Sequence, residues 1–282
     1  MRSRKELALD ALGKALRLRK QLGVPLTDSI SAIDAAEKLG IEVRFVDLPS
    51  MEGIYVAGDS PKILVSCLRP QGRRMFTCAH ELGHHVYGHG DQIDEIRASD
   101  GSNPERNERE FVADCFAAYF LMPKVAIENG MTLRGITYQT LTPLQVYALA
   151  SWLGVGYQTL LTHLQFGLRT ISATQANELA KTYPKKIRAL ILGQIGSSQV
   201  HMVDSSWTGR AIDCEVDDYV VIPEDSRLEA SRLKRRARSI LQAISPGIDR
   251  IADDQKNWSA FIRVSPRDFV GRSCFRFEER CE

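Results

Sequence analysis

The sequence has no long apolar run, no paired-cysteine motif, no internal repeat and no excess of charge, and each absence removes a class of protein. Its opening stretch, MRSRKELALDALGKALRLRKQLG, carries charges throughout and lacks the apolar segment that a signal peptide or membrane span requires, so a cytoplasmic location is expected. The six cysteines (Cys67, Cys78, Cys115, Cys214, Cys274 and Cys281) are scattered without a CxxC pair, which fits reduced thiols in a cytosol better than a secreted disulfide framework. A net charge of +2, from 37 basic and 35 acidic residues, gives no general reason to expect a nucleic-acid or anionic-membrane partner.

What remains is ordinary globular material: 282 residues, 44% hydrophobic and 26% charged, enough for more than one domain. Leu7, Leu9, Leu12, Leu16, Leu18 and Leu22 recur at helical spacing, and Asp28 or Ser29 is positioned to cap a second helix ending near Leu39. After Gly40 the pattern alternates, predicting strands at 41–47, 53–57 and 62–67 in a small antiparallel sheet. Helices are expected from Arg73 to Tyr87 and from Pro104 to Leu121, the latter stopped by Met122 and Pro123. Residues 142–168 read as helix, glycine turn and helix. Pro184 and Gly193 mark a boundary, beyond which strands are expected with one basic helix over Leu228 to Ile244. The fold class is thus α+β, with domains over 1–130, 131–188 (helical) and 189–282 (β-rich).

The chemistry concentrates in HELGH. Residues four apart share a helix face, so His80 and His84 can present two imidazole nitrogens to one ion, with Glu81 beside the open coordination position. The glycine and histidine that a three-histidine variant needs, three and six residues after His84, are absent: Tyr87 and Gly90 stand there, with His89 one place off. The segment RNEREFVADCFAAYFLMP offers a carboxylate instead. Glu110 is the choice for third ligand over Glu105 and Glu108, because Asp114 lies one turn further on the same face and can accept a hydrogen bond from a ligand histidine. Tyr87, His85, His89 and Tyr119 are unranked candidates for a donor to a developing oxyanion.

FTCAHELGHHVYGH followed by EFVADCFAAYFLMP resembles the ImmA/IrrE family of bacterial metallopeptidases, over roughly residues 5–170. The resemblance implies His80, His84 and Glu110 as ligands of zinc, with manganese as a substitute, and Glu81 as catalytic base. It also implies a helix-turn-helix repressor of the XRE type as substrate, whose cleavage switches on stress, phage or mobile-element genes. Asp114 departs from the asparagine of many members but keeps the hydrogen-bonding role. Residues 189–282 fall outside the resemblance, with a sensor or substrate-recognition role expected.

Two rival readings accompany this one. A protein stabilised by zinc that binds a repressor without cutting it would have no use for Glu81. A DNA-binding regulator would use residues 142–168 or the run Arg232, Lys234, Arg235, Arg236 and Arg238. However, Tyr157 to Phe166 contains no Lys or Arg to neutralise phosphates, and the basic run, with Glu229 nearby, reads more simply as a solvated face.

Overall fold

The computed structural model describes residues 2–95, 104–193, 196, 198–224, 226–228, 232–253 and 258–278, without the side chains of 92–95 and 104–106. Glu229, Cys281 and the Glu105 side chain lie outside the described residues.

Helix α1 (Arg4–Gln21) starts at a capping box in which Ser3 and Glu6 satisfy each other's orphan groups. It buries Leu7, Ala11, Ala15 and Leu18, a stripe at three- and four-residue spacing. Arg19 on the same helix is fully buried, its guanidinium donating to the carbonyls of Phe120, Pro25 and Asp28. Helix α2 (Ala32–Lys38) is capped by Ser31, beyond both of the expected caps, Asp28 and Ser29.

Strands β1 (Glu42–Val46), β2 (Met51–Val56) and β3 (Lys62–Ser66) follow, then α3 (Gln71–Tyr87), β4 (Gln92–Glu95) and α4 (Pro104–Leu121). The sheet order is β1-β3-β2-β4, and it is mixed rather than antiparallel: β1 and β3 pair in parallel, Glu42 opposite Lys62. After β1 the chain crosses to β2, and the turn at 57–61 brings β3 back between them, so β3 must run with β1 and against β2. Beneath this sheet α3 packs on α4 at close range. A Cβ on Gly83 would meet the Ala113 Cα at 3.2 Å and the Phe116 ring at 3.2 Å, so glycine there sets the helix separation.

The helical region comprises α5 (Lys124–Thr132), α6 (Pro143–Leu153), α7 (Tyr157–Thr162), α8 (Ala173–Ala180) and α9 (Pro184–Leu192). Thr142 and Gln145 form a capping box at the start of α6, and Gly154 ends it at φ 71°. Pro184, read from sequence as a boundary, is the first residue of α9, where a missing N–H costs nothing. Helix α7 faces inward with Tyr157, Leu160 and Leu161 buried, and the Tyr157 hydroxyl donates to the Leu179 carbonyl at 2.8 Å.

The remainder is β-rich: β5 (Val200–Met202), β6 (Ala211–Glu215), β7 (Tyr219–Val221), β8 (Arg227–Leu228), β9 (Leu233–Ala237), β10 (Ile240–Ala243), β11 (Gly247–Asp253), β12 (Trp258–Ser265) and β13 (Gly271–Arg272). They form two four-stranded sheets, β5-β7-β10-β9 and β6-β12-β11-β8, while β13 returns to extend the first sheet beside β1. The basic helix expected over Leu228 to Ile244 is absent among the described residues; β9 and β10 occupy the segment as a hairpin. Leu241 and Ala243 are buried at two-residue spacing against β7, and this pairing outweighs the helical propensity of LKRRARSILQ. Lys234, Arg235 and Arg236 lie exposed on β9, the edge strand, where charge guards against edge-to-edge association.

The described cysteines are all free thiols. Burial pushes the Cys78 thiol far up and that of Cys115 to about 11, which keeps both protonated and unreactive.

Candidate metal centre

Helix α3 turns His80 and His84 towards Glu110 of α4 and Glu81 towards β2, with His80 6% exposed and the other two fully buried. The Nε2 atoms of His80 and His84 lie 3.0 Å apart, and a Glu110 carboxylate oxygen from α4 lies 3.2 Å from the first and 3.7 Å from the second. Among the described residues these three form the group whose donor atoms converge, all within 4.8 Å of one another. Ligands at about 2.0–2.1 Å around a tetrahedral ion sit about 3.3 Å apart, so the observed spacings fit one small divalent cation. Two imidazoles and one carboxylate also leave a fourth position for water or substrate.

The far side of each imidazole is held. His80 Nδ1 lies 2.9 Å from Asp114 Oδ1, so the N–H donates to the carboxylate and the Nε2 lone pair points to the site. His84 Nδ1 lies 2.8 Å from His89 Nδ1. Burial, reinforced by the neighbouring His84 and Arg109, lowers His89 to about 4, so it is neutral and can accept the His84 proton. The sequence places Asp114 here, but offers His89 as an off-register third histidine and as an oxyanion-donor candidate, not as a support for His84. The signal was Gly88: its left-handed φ of 66° ends α3, and the turn that follows hydrogen-bonds the His89 N–H to the His84 carbonyl.

Burial disfavours a charged Glu110, but hydrogen bonds and charge from His80 and His84 outweigh it and hold the carboxyl well below its usual range. Glu110 is therefore an anion at neutral pH, as a ligand must be. Glu81 sits under β2: a Cβ on Gly53 would come within 2.5 Å of its Oε1 and 2.5 Å of Thr77 Cγ2. Tyr55, two residues along the same strand, brings its hydroxyl to 2.7 Å from His85 Nδ1.

Each of the four oxyanion-donor candidates makes side-chain contacts of its own. Tyr87 donates to Asp10 at 2.8 Å, stacks on His89 and lies under the Lys14 ammonium. His89 supports His84, and Tyr119 packs edge-on against His163. His85 stands next to the metal ligand in sequence with its Nδ1 engaged by Tyr55.

Residues 36–165 match the family described as the IrrE N-terminal-like domain, peptidase M78. No curated protein matches the chain significantly. Among solved structures, a Mycobacterium tuberculosis transcriptional regulator aligns at 18% identity and a TM-score of 0.36, covering 57% of this chain. The alignment spans 46% of that protein, and a likeness this distant bears no weight on function. The family match coincides with the segment that builds the three-donor centre, so residues 36–165 are similar to the IrrE N-terminal-like, peptidase M78 domain in the stretch that brings His80, His84 and Glu110 together.

Proposed function

We propose that the chain is a zinc-dependent endopeptidase that cleaves a helix-turn-helix repressor at a specific site in the cytoplasm and so relieves repression of stress, phage or mobile-element genes. The observation that carries this reading is the convergence of His80, His84 and Glu110 with both imidazole Nδ1 atoms held from behind. A site already organised in this way gains little by being only structural, since three donors leave a position open for chemistry.

His80 and His84 would hold the ion through Nε2 and Glu110 through a carboxylate oxygen. When bound, the ion supplies Lewis acidity to water and to the scissile carbonyl. Glu81, next to His80 and buried under β2, takes the proton of the attacking water and passes it to the departing amide nitrogen. Asp114 and His89 keep the two ligand rings in the required tautomer and orientation.

The test is to incubate zinc- or manganese-loaded protein with the helix-turn-helix regulator encoded beside it, comparing wild type with Glu81→Gln. A fragment produced only by the wild type supports the reading. Equal binding of the regulator by both proteins, with no fragment from either, replaces it with a protein that sequesters its repressor.

A further inference from the structure

Away from the metal centre, a cavity of about 650 Å³ opens between α2, the first turn of α3, the turn joining α6 to α7, helix α9 and the strands β5 and β6. That volume lies within the range of sites for small organic ligands, about 300–1,000 Å³. Leu22, Val24, Ile30 and Trp207 contribute apolar wall. The polar lining is strongly biased towards cations.

Most of those cations are neutralised by the fold. Arg73 pairs with Glu52 at 2.7 Å, and Arg210 with Asp28 at 3.0 Å. Arg263 is held between Asp34 and Asp213, and His201 lies 3.1 Å from Asp218. Arg188 on α9 is different. Its guanidinium reaches only neutral groups, the Gln199 side chain at 3.3 Å and the Tyr147 hydroxyl, and among the described residues its buried Nε has no hydrogen-bond acceptor and no carboxylate forms an ion pair with it. Lys38, exposed where it lines the same cavity, adds a second charge without a described counter-ion. A half-buried guanidinium without a counter-charge is costly, and its planar fork matches an oxyanion.

We propose that this cavity binds a small organic anion with a carboxylate or phosphate head on Arg188 and a ring-sized apolar body against the Val24 and Trp207 wall. The apolar lining explains why an inorganic anion would not suffice, and the unmatched Arg188 explains why a neutral hydrophobe would bind poorly. Binding does not depend on the peptidase reading, so either stands if the other fails.

The probe is anilinonaphthalene sulfonate, an aromatic anion whose fluorescence rises on leaving water, titrated into the full chain. Saturable binding is expected, weakened about tenfold or more in Arg188→Gln, as loss of a charge-assisted hydrogen bond implies. Arg188→Lys, which keeps the charge but not the planar fork, should fall between wild type and Arg188→Gln, and Val24→Trp should block the cavity. If Val24→Trp does not fold by circular dichroism, Arg188→Gln and competition decide. Naphthoate and naphthyl phosphate should displace the probe, the stronger of the two identifying the head group, while neutral naphthol should not. Absence of saturable binding, unchanged affinity in Arg188→Gln, or displacement by naphthol as readily as by naphthoate would overturn the proposal.

Discussion

Gly53 lies directly against Glu81: a Cβ added to the glycine would stand 2.5 Å from the carboxylate Oε1 and 3.1 Å from Cγ. Strand β2 and helix α3 can approach this closely only because the strand residue has no side chain. Gly53→Ala should therefore push the Glu81 carboxylate or the strand aside, at a cost of about 1–3 kcal/mol from overpacking. The atoms nearest the new methyl belong to Glu81 and Thr77 and not to the ligands His80, His84 and Glu110, so metal content should be unchanged while repressor cleavage falls. Wild-type cleavage rates in a metal-loaded Gly53→Ala protein would show that the position of Glu81 does not limit the reaction.

Asp114 and His89 act on the ion only through the rings they hold, so their loss should weaken metal binding without removing a ligand. Asp114→Ala and His89→Ala are each expected to lower affinity about 10–100-fold, measured by competition with a chromophoric chelator. Asp114→Asn should retain affinity to within a few-fold, because the amide oxygen can still accept from His80 Nδ1. Unchanged affinity in Asp114→Ala and His89→Ala would mean that the rings are positioned by packing alone.

The contrast between Asp114 and His89 shows what the sequence discloses. His80, Glu81 and His84 are related by helical spacing, and Glu110 and Asp114 by one turn of a second helix, so local periodicity exposes both halves of the centre. The role of His89 depends on the left-handed turn at Gly88, and those of Gly53 and Tyr55 on how β2 crosses α3, a tertiary relation with no local signature. The same limit explains β13, whose partner β1 lies more than two hundred residues earlier, and the β9–β10 hairpin, whose basic strand β9 looks helical until it pairs with β10, itself held by β7. Strand β1 was legible, but its parallel partnership with β3 follows from the path of the chain and not from alternation.

Asp213 joins the β-rich region to α2 through two arginines. It contacts Arg263 at 2.5 Å and Arg276 at 3.1 Å, and both guanidinium groups also reach Asp34, at 2.9 Å and 3.4 Å. Arg276 is only 5% exposed, so removing Asp213 strands charge in a desolvated setting. Asp213→Ala should cost about 3 kcal/mol, the lower end for a broken buried pair because Asp34 still serves both arginines. The exposed pair of Lys181 and Glu178 provides the control: Glu178→Ala should change stability by less than about 1 kcal/mol. Urea midpoints of the two variants check the contrast, and equal effects would show the four-residue network to be energetically idle.

His163 makes stability depend on pH in a defined direction. Its Nε2 lies 3.0 Å from the Met122 carbonyl at the end of α4, the residue is 5% exposed, and burial lowers its pKa to about 4 from the ordinary 6.5. Above the unfolded value both states are neutral and the interaction is fully present. As pH falls through 6.5 the unfolded chain takes up a proton that the folded chain refuses, so stability drops until pH reaches about 4, below which both states are protonated. A separation of this size corresponds to a loss on the order of 3 kcal/mol. His163→Gln can still donate to Met122 but cannot titrate. The variant is expected to be the less stable protein at neutral pH and to close the gap as pH falls from 6.5 to 4, measured by urea unfolding across that range. A constant difference between the two proteins would place the native-state pKa of His163 near its unfolded value and remove burial as the force acting on it.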